Sequence, residues 1–184
     1  MEISGQTTAR KLFEQVLDWL RSNYGNHEFF TERDVVWTIQ QIMRKIIAKN
    51  ALPFEVYNDF PIVKALRRSL TTDLTILNRQ NEVEIAIEFK YEPDHQRGAG
   101  INRNIWPCKL SPSVVFWGKE GVKKDVERAR QYVDQKKAKI AVTIFVDEGR
   151  LFRHKKPHQN TKWVDWNCGG KNPRKISLLI GYFT

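Results

Sequence analysis

Long apolar runs are missing from this chain: none of its 184 residues belongs to a stretch approaching the ~18 apolar residues of a membrane-spanning helix. The opening segment, MEISGQTTARKLFEQ, has no apolar core of the kind a secretory leader carries, so the expected location is cytoplasmic. Cysteine is scarce. Cys108 and Cys168 stand alone, which argues against a disulfide framework, and neither belongs to a C-x-x-C pair. His154 and His158 have H-x3-H spacing, but Pro157 interrupts the segment and zinc is set aside. There is no glycine-rich phosphate loop, no Rossmann fingerprint and no nucleophile elbow, which removes three large enzyme classes. Acidic residues are in deficit, 21 against 31 Lys and Arg, for a net charge of +10 and a pI near 9.7. Such a balance points toward a polyanionic partner, although basic chains also bind acidic proteins.

What the chain does have is a hairpin pattern between Thr71 and Tyr91, TTDLTILNRQNEVEIAIEFKY. Two β-branched and aromatic runs flank the polar break Asn78-Arg79-Gln80-Asn81. Alternation in the second run sends Ile85, Ile87, Phe89 and Tyr91 to one face and Glu84, Ala86, Glu88 and Lys90 to the other. In the first run Asp73, Thr75 and Leu77 share a face, so tight pairing brings Asp73 beside Glu88 and Lys90. Two converging carboxylates repel unless a cation lies between them. Hard oxygen donors suit Mg²⁺, which takes one or two protein carboxylates and fills its shell with water and phosphate. A lysine on the same face can orient or activate an attacking water and offset developing charge. The same pattern also describes a solvated hairpin face with Glu/Lys cross-strand pairs.

Asp73 followed, after fourteen residues, by Glu88-Phe89-Lys90 resembles the active-site signature of the PD-(D/E)XK nuclease superfamily, with Thr72 where the family name has proline. The resemblance implies a restriction-endonuclease-like fold and a metal-dependent phosphodiesterase acting on nucleic acid, DNA rather than RNA. It implies that Asp73, Glu88 and the backbone carbonyl of Phe89 bind Mg²⁺, with Mn²⁺ as a substitute, and that Lys90 serves the water. A glutamate on the helix before the sheet often joins such sites. Glu32 is the position for that role, with Asp34 and Gln40 as competitors, and the helix dipole alone would also favour an acid in the first turn.

The surrounding order of elements carries the resemblance over roughly residues 31–147. Leu12, Val16, Trp19 and Leu20 have helical spacing over Thr8 to Ser22. Thr31, with Asp34 three residues on, opens a second helix to about Asn50. Phe54 to Ile62 reads as a strand with Pro61 near an edge, and the hairpin supplies two more. A helix from about Gly121 to Lys137 and a buried strand from Ile140 to Val146 follow, and Val114 to Trp117 reads as a short additional strand. The whole is an α/β (α+β mixed sheet) protein of one domain, residues 1–184, with an αβββαβ core at about 31–147 and flanking helices. Residues 148–184 form a basic C-terminal extension packing on that core.

Phosphate contacts are expected from Lys64, Arg67 and Arg68 just ahead of Asp73, and from Arg97 and Arg103 in the polar segment after Lys90, where His95, Trp106 and Lys109 also stand. From Gly149 to Lys175 eight Lys and Arg oppose the single Asp165, and Lys155 and Lys156 are the nucleic-acid contacts expected there. Trp163 and Trp166, interleaved with these charges, are expected to pack inward. Ile176 to Phe183 reads as a last strand. The alternative reading is a non-catalytic nucleic-acid-binding or protein-interaction module of the same fold, or a nuclease subunit that needs a targeting partner. A homodimer is compatible with the resemblance, because family members that cut both strands often pair.

Overall fold

The computed structural model describes residues 5–63, 70–97 and 111–184. Lys64, Arg67, Arg68, Arg103, Trp106, Cys108 and Lys109 lie outside the described residues.

Helix α1 (Gly5–Asn23) turns Leu12, Phe13, Val16 and Leu20 inward, and α2 (Glu32–Asn50) does the same with Val35, Val36, Ile39 and Met43. The start of α2 is set by Asp34, whose Oδ2 accepts the Thr31 and Phe30 N–H groups at 2.7 and 2.9 Å. Those donors precede the first helical turn and would otherwise have no partner, so this carboxylate belongs to the cap. Ala51 ends α2 in the left-handed region at φ 48°, and β1 (Phe54–Val63) follows.

Strands β2 (Leu70–Asn78) and β3 (Val83–Glu92) form the expected hairpin. Asn78 closes it: its Oδ1 accepts the Gln80 and Glu82 N–H groups at 2.9 and 3.0 Å, while Asn81 takes φ 60°. After β3 come the short helix α3 (Pro112–Val115), α4 (Val122–Asp134), β4 (Ile140–Asp147), β5 (Thr161–Cys168) and β6 (Arg174–Phe183).

The six strands form one mixed sheet in the order β1-β2-β3-β4-β6-β5. Only the β3–β4 pair is parallel, and α4 lies in the connection between those strands. Helices α1 and α2 cover one face over Leu74, Ile76, Ile85, Ile87, Phe89, Val142 and Ile144. On the opposite face α4 packs Val122, Val126, Ala129 and Tyr132 over Ala86, Ala141 and Phe145. The protein is therefore a mixed α/β structure, and its central strands are covered on both sides. All eight residues of β4 are buried for that reason.

Two expectations need correction. Val114 to Trp117 is not a strand: Pro112 sits at the first helical position, where its lack of an N–H costs nothing, and Ser111 O accepts the Val114 and Val115 N–H groups. The C-terminal part is not an extension packed on a finished core. Strand β6 pairs with β4 from Ala141–Phe183 to Asp147–Ser177, and β5 pairs with β6, so the segment supplies two strands of the sheet itself. Trp166 is buried and Trp163 packs against Phe116 and Phe145. Among the described residues no helix is long and apolar enough to cross a membrane.

Candidate active site

Antiparallel pairing of Leu74 with Ile87 carries Asp73 to the level of Glu88 and Phe89. The Phe89 N–H donates to Asp73 Oδ2 at 2.6 Å, which fixes the carboxylate at the junction of the two strands. Glu88 and Lys90 follow Ala86 on the face that α4 covers, a consequence of the two-residue period. That cover changes Glu88 from a half-buried residue to one only 2% exposed. Its two oxygens are held from α4: the Tyr132 hydroxyl donates to Oε1, and Arg128 Nη1 stands 3.6 Å from Oε2.

Lys90 reaches between two acids. Its Nζ is 3.2 Å from Glu32 Oε2, in the first turn of α2, and 3.9 Å from Asp125 Oδ2, in the first turn of α4. Both helices thus direct their N-terminal ends, the positive ends of their dipoles, toward one cluster of carboxylates. Of the three positions weighed on α2, Glu32 is beside Lys90. Asp34 is taken by the cap, and Gln40 is buried with its Nε2 donating to Val56 O at 3.2 Å.

The electrostatics are those of charges removed from water faster than they are paired. Burial, and then Glu32, push Asp73 up to about 6 against the lowering effect of the Phe89 N–H. Burial and then Asp73 hold Glu88 well above the ordinary carboxyl range. Asp125 is pushed up to about 7, chiefly by burial and against the pull of Lys90. Burial disfavours the Lys90 ammonium, but Glu32 and Asp125 outweigh it and its pKa is raised. Lys90 is accordingly a fixed cation here rather than a free amine base.

Asp125, Arg128 and Tyr132 escaped the sequence reading, although a signal was present. They fall at i, i+3 and i+7, one helical face. Asp125 interrupts the apolar stripe of Val122, Val126 and Ala129, and a carboxylate on a buried stripe requires a partner. Its Oδ2 is buried without a hydrogen-bond partner. Asp59 also went unnoticed: it stands on β1 between Asn58, opposite Leu74, and Phe60, opposite Thr72, which carries it to Asp73. A cleft of about 350 Å³ runs between the first turns of α2 and the β1–β2 edge, bordered by Glu32, Asp59 and Asp73.

The expected phosphate contacts are placed differently. Arg97 turns inward, donating to Phe29 O and to the Tyr91 hydroxyl and lying 3.1 Å from Glu148 Oε2. It ties the end of β3 to the rest of the fold. His95 Nε2 is 2.7 Å from Glu92 Oε1. Lys155 Nζ stands 5.4 Å from the centre of the Trp117 ring, and Lys156 is exposed. Arg150 and Arg153 pair with Asp165 and Arg174 pairs with Glu148, so the C-terminal basic run is partly neutralised from within. Cys168 is in the core beneath α1, whereas His158 stacks on Phe116 on the opposite face of the sheet.

Among the described residues no three His, Cys, Asp or Glu side chains converge as a metal cage. A hard divalent ion that keeps most of its waters needs only one or two protein carboxylates. The donor set here is oxygen: the carboxylates of Asp73 and Glu88 and the Phe89 carbonyl. Asp125 Oδ2, buried without a hydrogen bond and 3.9 Å from Lys90 Nζ, is close by, and the chemistry of this donor set fits such an ion. No family model, no curated protein and no solved structure matches this chain.

Proposed function

We propose that the chain is a metal-dependent nuclease of the PD-(D/E)XK type, hydrolysing phosphodiester bonds in DNA. The observation that carries this reading is the convergence of Asp73, Glu88 and Lys90 on one half-buried patch where two helix N-termini meet. The order α2-β1-β2-β3-α3-α4-β4 supports it, since apart from the four-residue α3 it is αβββαβ, the core of the restriction-endonuclease-like fold. The net charge of +10 supports a polyanionic substrate.

Mg²⁺, or Mn²⁺ in its place, would be held by Asp73, Glu88 and the Phe89 carbonyl. When bound it supplies a more acidic water and shields charge on the phosphate. The chain's own residues do the rest. The Phe89 N–H fixes Asp73, while Tyr132 and Arg128 fix Glu88, so both carboxylates are oriented before substrate arrives. Glu32 and Asp125 hold the Lys90 ammonium at the patch, where it can orient the attacking water and offset charge building on the phosphate oxygens. Hydrolysis breaks one P–O bond, giving the hydroxyl of water to phosphorus and its proton to the departing oxygen.

A second reading, a nucleic-acid-binding or protein-interaction module of the same fold, draws on the engagement of both Glu88 oxygens by α4. A nuclease subunit directed by a partner would behave the same way in isolation. Cleavage of plasmid and oligonucleotide substrates, DNA and RNA in parallel, with Mg²⁺ or Mn²⁺ separates these readings. Wild type should cut, while Asp73→Ala and Lys90→Ala should bind DNA in EDTA and leave it intact. Full activity in Asp73→Ala would refute the site. Binding without cleavage by the wild type would favour the second reading.

A further inference from the structure

The cleft beside Asp73 has one wall that the carboxylates do not explain. Trp37 lines it together with Glu32, Arg33, Asn58, Asp59 and Asp73, and its residue is 56% exposed. It projects from α2 on the same face as Arg33, one turn earlier, and Glu32 beside Arg33 is the residue that pairs with Lys90. An indole, a guanidinium and one candidate metal ligand, Asp73, therefore border a single depression. The neighbours of Trp37 on α2 show that its exposure is a matter of position. Val36 and Gln40 turn into the core, while position 37 turns out over the cleft.

We propose that Trp37 is a stacking platform for an unpaired nucleobase adjacent to the bond being cut, with Arg33 taking a neighbouring phosphate, so that single-stranded or locally opened DNA is the preferred substrate. This rests on the nuclease reading above and deepens it. An indole stacks on a base only where the π-face is free. In a duplex each face is already covered by the neighbouring pair, and a base must first be unstacked at a cost of a few kcal/mol. The acidic floor of the cleft repels phosphate unless a cation intervenes. Sequence-tolerant stacking and the guanidinium are then the groups on this wall able to hold the strand when the metal is absent.

The test compares wild type, Trp37→Ala and Trp37→Phe on one fluorescent oligonucleotide, single-stranded and as a blunt duplex. Affinity is measured by anisotropy in EDTA, and cleavage of both forms is followed in Mg²⁺. Trp37→Ala should lose roughly 5- to 150-fold in single-strand affinity, the equivalent of one base–aromatic stack, and leave the duplex unchanged. Trp37→Phe should recover most of the loss. Equal single-strand affinity in wild type and Trp37→Ala, or an equal loss for both substrates, overturns the proposal. If Asp73-dependent cleavage persists with no Trp37 effect, the nuclease reading stands and the stacking role falls. If the wild type binds neither form in EDTA the stacking role falls, and if it also cuts neither form in Mg²⁺ the nuclease reading falls with it. The binding arm needs no turnover, so it decides the stacking role even in a protein that does not cut.

Discussion

Replacing Asp125 by asparagine should change stability in a way that reverses with pH. The carboxyl group sits at about 7 in the fold against 3.8 for the ordinary group. Between those values the folded chain binds more protons than the unfolded one, so stability falls as pH rises from about 4 to 7 and levels off above. At 1.36 kcal/mol per unit, the ionised carboxylate costs the fold up to about 4 kcal/mol at pH 8. Asparagine removes that cost but places an amide where Oδ2 has no hydrogen-bond partner, a penalty of about 1–3 kcal/mol that does not depend on pH. Lys90 keeps Glu32 at 3.2 Å in either protein. Urea unfolding in EDTA should therefore find Asp125→Asn neutral or less stable than wild type at pH 4 and more stable by about 1–3 kcal/mol at pH 8. The change in the wild-type-to-variant difference between the two pH values carries the argument, because it cancels every packing effect of the substitution. A difference independent of pH would refute the electrostatic account of the site.

Three further substitutions test the scaffold. Glu148 is buried and accepts from Tyr91, the Asp94 N–H and Arg174, each at 2.9 Å, while pairing with Arg97 at 3.1 Å. Glu148→Ala removes the buried carboxylate that Arg97, Arg174, Tyr91 and the Asp94 N–H share and should cost about 3–5 kcal/mol in chemical denaturation. Glu14→Ala, which breaks the half-exposed pair with Arg10, should cost at most about 0.5 kcal/mol; equal losses would refute the ranking. At Gly25 an added Cβ would stand 2.2 Å from Asn172 O and 2.8 Å from Gly169 O, where the turn after α1 bonds the β5–β6 connection. Gly25→Ala should lower the melting temperature through a loss of about 1–3 kcal/mol, and an unchanged melt would contradict the close approach.

How far the sequence alone reaches depends on the range of the interaction concerned. Alternation in Val83 to Tyr91, the polar break at Asn78 and the Thr31–Asp34 cap are settled within a few residues, and each appears where the pattern puts it. The juxtaposition of Asp73 with Glu88 is nearly as local, because a hairpin joined by a short loop leaves little freedom of register. Pro112 also acted locally, yet the apolar run behind it reads equally well as strand or helix, and the helix-starting position of proline decided for helix. The burial of Glu88 is different. It depends on a helix more than thirty residues away bringing Tyr132 and Arg128 over the sheet, and nothing in the strand itself announces that cover. The same holds for Arg97, whose partners Phe29 and Glu148 come from opposite ends of the chain, and for β6, which pairs with β4 and leaves β5 at the edge. By itself the sequence determined the periodic elements, the caps and the acid–lysine hairpin, because short-range sterics and hydrogen bonding suffice for them. Only the tertiary structure decided which charges are paired, which are buried and how far their acidities move, because those quantities depend on side chains that meet through packing rather than through proximity along the chain.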